Sequence, residues 1–147
     1  MYLKPVKSDG TSPSVEGPSG QYTLEASATY YYDVPSDDQL FAVQLIGYTA
    51  GLVITSATIQ DSSCDLRDVT LISSTAGEWI SESPSTAYVG TDGTGWTVSS
   101  GVVASAGSAL GGALWHVVDS GASRTRLRVV VGGTGGIVRV AWSGNKQ

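Results

Sequence analysis

A single histidine, His116, and a single cysteine, Cys64, occur in 147 residues, and these two scarcities remove most of the chemistry a chain of this size can carry. One cysteine forms no intrachain disulfide and no cysteine-based metal cluster, and it is compatible with assembly in a reducing cytoplasm. His116 lies in the apolar run Leu114-Trp115-His116-Val117-Val118, where a core or subunit-interface position is expected and no nucleophile or orienting carboxylate is marked beside it. Neither a Gly-x-Ser-x-Gly elbow nor a phosphate-cradling Gly-x-x-x-x-Gly-Lys-Ser/Thr loop is present. The expectation is a non-enzymatic protein with no cofactor and no metal; a small hydrolase reading would rest on His116 alone.

Basic charge is also scarce. Eight Lys and Arg against thirteen Asp and Glu give a net charge of -5, which argues against a nucleic-acid partner, since phosphate binding is driven by a surplus of cations. The longest stretch without Asp, Glu, Lys or Arg, residues 93 to 118, is too rich in Gly, Ser and Thr to be a membrane helix, so no membrane partner is expected. The first ten residues hold no apolar run of signal-peptide length and are broken by Pro5. Two carboxylates, Glu78 and Glu82, resemble a glycosidase pair only in type. Four residues apart on one strand, their α-carbons stand about 13 Å apart, beyond either catalytic separation. Asp37-Asp38 and the turn Thr91-Asp92-Gly93-Thr94-Gly95 lack the ligand density of a calcium loop and read as turn formers.

What is present is β-forming sequence. From Tyr22 onward, short runs rich in Val, Ile, Thr and aromatics alternate with Gly, Ser, Asp and Pro clusters, and no window carries a 3.6-residue apolar period. Strands are expected near 27 to 33, 39 to 48, 52 to 60, 68 to 73, 77 to 82, 95 to 104, 112 to 118, 125 to 131 and 136 to 142. This predicts one all-β domain over residues 21–147, a two-sheet β-sandwich of jelly-roll-like type, preceded by a Pro- and Gly-rich flexible N-terminal arm over residues 1–20. The strand at 39 to 48 alternates Phe41, Val43 and Leu45 with Leu40, Ala42, Gln44 and Ile46, which predicts a central strand buried on both faces. Residues 52 to 59 show a mixed pattern, expected of a half-buried or interface strand. Trp79, Trp96, Trp115 and Trp142 sit in or beside strands and are expected to pack the interior.

Residues 125 to 142 read as a closing β-hairpin about the turn Gly132 to Gly135. That register places Leu127, Val129 and Val131 on one face with Val138, Val140 and Trp142, and Arg126, Arg128 and Arg139 on the other. Arg128 opposite Arg139 is unfavourable unless acidic groups lie over them, which makes the arginine face a docking candidate for an acidic partner. In the arm, Tyr2, Leu3 and Val6 are the apolar groups available to a neighbour, flanked by Lys4 and Lys7.

The ladder Leu40-Phe41-Ala42-Val43-Gln44-Leu45, the run from Val53 to Ser63, the segment Ala76-Gly77-Glu78-Trp79-Ile80 and the late Arg-Leu-Arg-Val-Val-Val strand with its Gly-Gly-Thr-Gly-Gly turn and terminal Ser143-Gly144-Asn145-Lys146 form a pattern over about residues 38 to 147. It resembles small β-sandwich virion proteins of tailed bacteriophages, capsid decoration or cement proteins among them. The resemblance implies a structural protein on the capsid exterior, assembled in the host cytoplasm, partnered by the major capsid protein and commonly trimeric. On that reading Tyr2, Leu3, Lys4, Val6, Lys7, Arg126, Arg128 and Arg139 are the candidate capsid contacts. Similar modules occur in tail fibres and baseplates, where a carbohydrate-binding role would need exposed aromatics; Tyr30 to Tyr32, Tyr88 and Trp96 are the candidates.

Overall fold

The computed structural model describes residues 1–14, 19–35, 40–81, 86–89, 95–105, 110–118 and 122–145. Thirteen strands are described: Tyr2–Leu3 (β1), Pro5–Lys7 (β2), Gln21–Leu24 (β3), Thr29–Val34 (β4), Leu40–Gly47 (β5), Ile54–Ser62 (β6), Ile80–Ser81 (β7), Thr86–Val89 (β8), Trp96–Ser99 (β9), Val102–Ser105 (β10), Gly111–Val118 (β11), Arg124–Val131 (β12) and Gly136–Asn145 (β13). Sheet I runs β1-β13-β5-β11-β8, with β3 also on β13; sheet II runs β2-β4-β12-β6-β10-β9, with β7 also on β6. All the pairings between these strands are antiparallel, and the two sheets pack face to face as a β-sandwich.

The order has a simple logic. Apart from β6 with β7 and β9 with β10, successive strands lie in opposite sheets, a jelly-roll-like wrapping in which nearly every connection crosses the sandwich. Each long strand carries one apolar face, and crossing turns the apolar faces of consecutive strands toward each other. Phe41, Val43 and Leu45 of β5, Ala57 and Ile59 of β6, Ala113, Trp115 and Val117 of β11, Leu127, Val129 and Val131 of β12, and Val138 and Val140 of β13 meet in one core. Trp115 is fully buried, and its indole N–H donates to the Gly101 carbonyl at 2.9 Å, so the largest core side chain leaves no unpaired donor.

This wrapping corrects the expected closing hairpin. β12 belongs to sheet II, between β4 and β6, while β13 belongs to sheet I, beside β5; the two strands face each other across the core and are not ladder neighbours. The glycine-rich link crosses between sheets and threads close to other backbone. A Cβ on Gly135 would collide with the Leu24 carbonyl, and one on Gly132 would meet Val53 Cγ1 at 2.7 Å. The hydrophobic pattern was compatible with both arrangements, because Leu127, Val129 and Val131 meet Val138 and Val140 either way. The arch buries these faces between two layers, which a lone hairpin does not.

Two other departures have local causes. The mixed pattern in β6 reflects a β-bulge: pairing with β12 steps from Val130↔Ser56 to Val131↔Ile54, and pairing with β10 slips in the same place. The extra residue switches the inward phase, so Leu52 and Ile54 are buried before it and Ala57 and Ile59 after it. The single strand expected at 95 to 104 is a hairpin of β9 and β10, turned at Ser100 (φ 49°) and Gly101 (φ 78°), the two positive φ values of a primed turn. The expected strand at 68 to 73 is a turn region, where Asp65 accepts from the backbone of Arg67, Asp68 and Val69. Of the expected strand at 77 to 82, the described residues 77 to 81 hold only β7, and residue 82 lies outside the described residues. β5 is central as expected, but only one face is buried, since Gln44 is exposed.

The first seven residues are divided between the layers. β1 pairs with β13 in sheet I and β2 with β4 in sheet II, so the chain steps over one edge of the sandwich and inserts Leu3 (6% exposed) into the core. Full burial of such a side chain is worth about 1.5–3 kcal/mol. Leu3→Ala is therefore expected to lower unfolding stability by about 2–5 kcal/mol, read as a shift of the urea midpoint at unchanged slope.

Candidate partner-binding surfaces

The three arginines expected on one face are separated. In β12, Leu127 and Val129 point inward, which turns Arg126 and Arg128 to the outer face of sheet II; in β13, Val138 and Val140 point inward, which turns Arg139 to the outer face of sheet I. Arg128 lies opposite Tyr31 and Thr58, and Arg139 opposite Gln21 and Ile46, so neither arginine faces the other.

Arg126 is also buried, at 2% exposure. Its guanidinium lies between the rings of Tyr31 and Trp79, 4.1 and 4.2 Å from their centroids. Nε donates to Gln60 Oε1 at 2.8 Å, and one terminal nitrogen donates to the carbonyls of Leu71 (2.6 Å) and Ser73 (2.9 Å). Residues 63 to 79 are thus clamped over the outer face of sheet II, with Val69 and Trp79 buried beneath them. Trp79 is held further by its own N–H donating to the Thr70 carbonyl at 3.2 Å. Burial pulls the Arg126 guanidinium down to about 10, helped by the nearby charges of Arg128 and Arg124 and opposed by Tyr31. At neutral pH it remains a cation, solvated by rings and carbonyls in place of water. The clamped segment projects Leu66 (57% exposed) outward, and Ile80 (60% exposed) follows at β7. Ile80 borders a cleft shared with Cys64, Gly77, Glu78 and Ala122.

Arg139 is fixed differently. Its guanidinium lies 4.4 Å from the Tyr2 ring centroid and 5.6 Å from that of Tyr48, and it donates to Tyr48 OH at 3.2 Å and to the Ser19 carbonyl at 2.9 Å. Tyr48 in turn borders a trough of about 570 Å³ on the outer face of sheet I, lined by Gln44, Ile46, Leu110, Leu114 and the glycines Gly47, Gly111 and Gly112. Gly111 pairs with Gly47 at inward positions and Gly112 with Ile46 at outward ones, so backbone lines part of the trough, and a Cβ on Gly112 would meet the Leu45 carbonyl oxygen at 2.6 Å. Sequence reading missed this place; its signal is a Gly-Gly pair opening one strand that comes opposite a glycine closing another.

Among the arm residues, Leu3 is in the core, Tyr2 lies against Arg139, Lys4 is exposed and Val6 is half-buried opposite Tyr31. Lys7 donates to Glu25 at 2.6 Å and lies 3.9 Å from Asp9; the Glu25 hydrogen bond holds its ammonium above the usual lysine range. Of the aromatics considered for a sugar platform, Tyr30, Tyr32 and Trp96 fill the interior. Tyr30 OH accepts from the Glu25 backbone, and burial raises the Tyr32 phenol far above its usual range. Tyr31 lies under Arg126, and the side chain of Tyr88 is outside the described residues.

His116, expected in the core or at an interface, is exposed in the single chain, because β11 turns Trp115 and Val117 inward on either side of it. Glu82, Asp37, Asp38 and residues 91 to 94 lie outside the described residues. Among the described residues no group of three His, Cys, Asp or Glu is placed to hold a metal, and no helix is long and apolar enough to cross a membrane.

Arg126→Ala removes the clamp and leaves the Leu71 and Ser73 carbonyls without their donor, at about 1–3 kcal/mol for each group that stays buried. The expected outcome is a lowered urea midpoint, a red-shifted tryptophan emission from Trp79 and new protease cleavage within residues 63 to 79. Arg128→Ala, at a half-buried site, leaves all three nearly unchanged. Comparison of the chain with family models finds no match, and comparisons with curated proteins and with solved structures find none either.

Proposed function

We propose that this chain is a non-enzymatic structural protein of a bacteriophage virion that binds the outer surface of the capsid and stabilises the head. The observation that carries a binding role is the clamped segment of residues 63 to 79: its backbone is tied to sheet II through Arg126, while Leu66 and Ile80 stand more than half exposed at and just beyond it. Apolar groups held on an ordered segment lose little conformational entropy when a partner covers them, which is how a small surface achieves useful affinity. The capsid as partner comes from the resemblance of residues 38 to 147 to virion sandwich proteins. A shell under internal pressure gains stability from any ligand that binds its closed state, and many copies multiply a modest contact.

This reading differs from the sequence expectation in its contact residues. Arg126 is unavailable, Leu3 is internal, and the docking elements move to Leu66 and Ile80 with the exposed Arg67 nearby in sequence. The carbohydrate-binding alternative loses Tyr30, Tyr32 and Trp96 as platforms, since all three are buried.

Purified protein mixed with expanded capsids that lack it, then pelleted, is expected to bind saturably and to raise the temperature at which the capsids release DNA. A Leu66→Glu, Ile80→Glu double variant, altered only at exposed positions, is expected to keep its melting temperature and bind at least about tenfold more weakly. Absence of binding by the parent protein would overturn the capsid reading.

A further inference from the structure

The two outer faces of the sandwich are unlike. That of sheet II is covered by residues 63 to 79, whereas no described segment of the chain lies over the β5-β11 surface of sheet I. The uncovered face is also electrically unusual. The chain carries thirteen acidic residues and a net charge of -5. Yet the described outward positions of β5, β11 and β13 hold no Asp or Glu; their charged or titratable members are Arg139 and His116. The trough on this face is lined entirely by uncharged residues.

Beside the trough stands its complement. Leu110, the residue before β11, is 54% exposed and lines the trough together with Gly47, Gly111 and Gly112. An exposed leucine beside a trough on one patch is the pairing of protrusion and recess that a two-fold rotation can match, in which each copy offers the other the same surface. We propose that two copies of this chain pair through the outer face of sheet I, with Leu110 of each copy seated in the other's trough and Leu114 packed alongside.

The charge distribution selects this occupant. Two molecules each at -5 repel, and they approach most readily where neither presents a carboxylate. An acidic partner would favour a face with several free cations, but the described outward cation of these strands, Arg139, is already engaged by Tyr2, Tyr48 and Ser19. The two-fold pairing replaces the trimer implied by the resemblance. It leaves the clamped segment on sheet II, on the opposite side of the sandwich, facing outward from the pair, and it rests on the geometry of sheet I independently of the capsid reading.

Sedimentation velocity of the full chain over a range of concentrations tests the proposal. The parent protein is expected to show a reversible monomer–dimer equilibrium. Leu110→Glu and Leu114→Glu are each expected to weaken it by about 30-fold, the loss typical of a central apolar contact. Their melting temperatures should match the parent's, since Leu110 is exposed and Leu114 half-exposed, and Ile80→Glu on the opposite side should leave the dimer intact. A parent that stays monomeric, a trimer, or a dimer indifferent to both leucine variants would each overturn the proposal. Pelleting the Leu110→Glu variant with capsids separates the two readings: binding without self-association leaves the capsid role standing, and a dimer that ignores capsids leaves the pairing standing.

Discussion

Every long strand of this protein has one apolar face, and the chain satisfies all of them together by changing sheets at nearly every connection. Burial between two layers is the constraint on which the rest depends. It places Trp115, Leu127, Leu45 and Val140 in one interior, and it draws even the third residue of the chain, Leu3, into that interior through two short strands shared between the sheets. Gly132, Gly135 and Gly136 of the link follow from the same constraint, because the crossing passes too close to the backbone of residue 24 and the side chains of Val53 and Thr49 to carry a Cβ at those positions.

Once the inner faces are committed, the outer faces are free to diverge. On sheet II an arginine becomes an internal strut: Arg126 is held by two aromatic rings, a glutamine oxygen and two carbonyls. Hydrogen bonds and ring contacts offset the desolvation such a buried charge incurs. Here they hold residues 63 to 79 on their course. On sheet I, Arg139 organises Tyr2, Tyr48 and Ser19 at one border of a face that holds the trough and carries no acid at its described outward positions on β5, β11 and β13. Among the described residues, one outer face is covered by the chain's own 63 to 79 segment and the β5-β11 face is not.

The relation between sequence and site is uneven for physical reasons. The sequence placed β5 centrally by expecting burial on both faces, of which the structure buries one, and it put Trp115 in the interior as a large strand aromatic while expecting the exposed His116 in the core or at an interface. Alternation could not choose between a hairpin and an arch for β12 and β13, since both put the same faces together. It was also blind to Arg126, whose burial depends on a segment some fifty residues earlier folding over it. Tyr30, Tyr32 and Trp96 looked eligible for a surface role because an aromatic in a strand is equally legible as core or platform until its face is known.

Composition and period by themselves determined the all-β class, the single apolar core and the acidic charge, because these depend on residue type and on a local repeat. Only the tertiary structure decided which strands are neighbours, that the three arginines part company, that the N-terminal residues join both sheets, and that β5 and β11 come together to line a trough beside Leu110. Those outcomes depend on which distant segments come into contact, and a contact between residues far apart in the chain leaves no local period from which to read it.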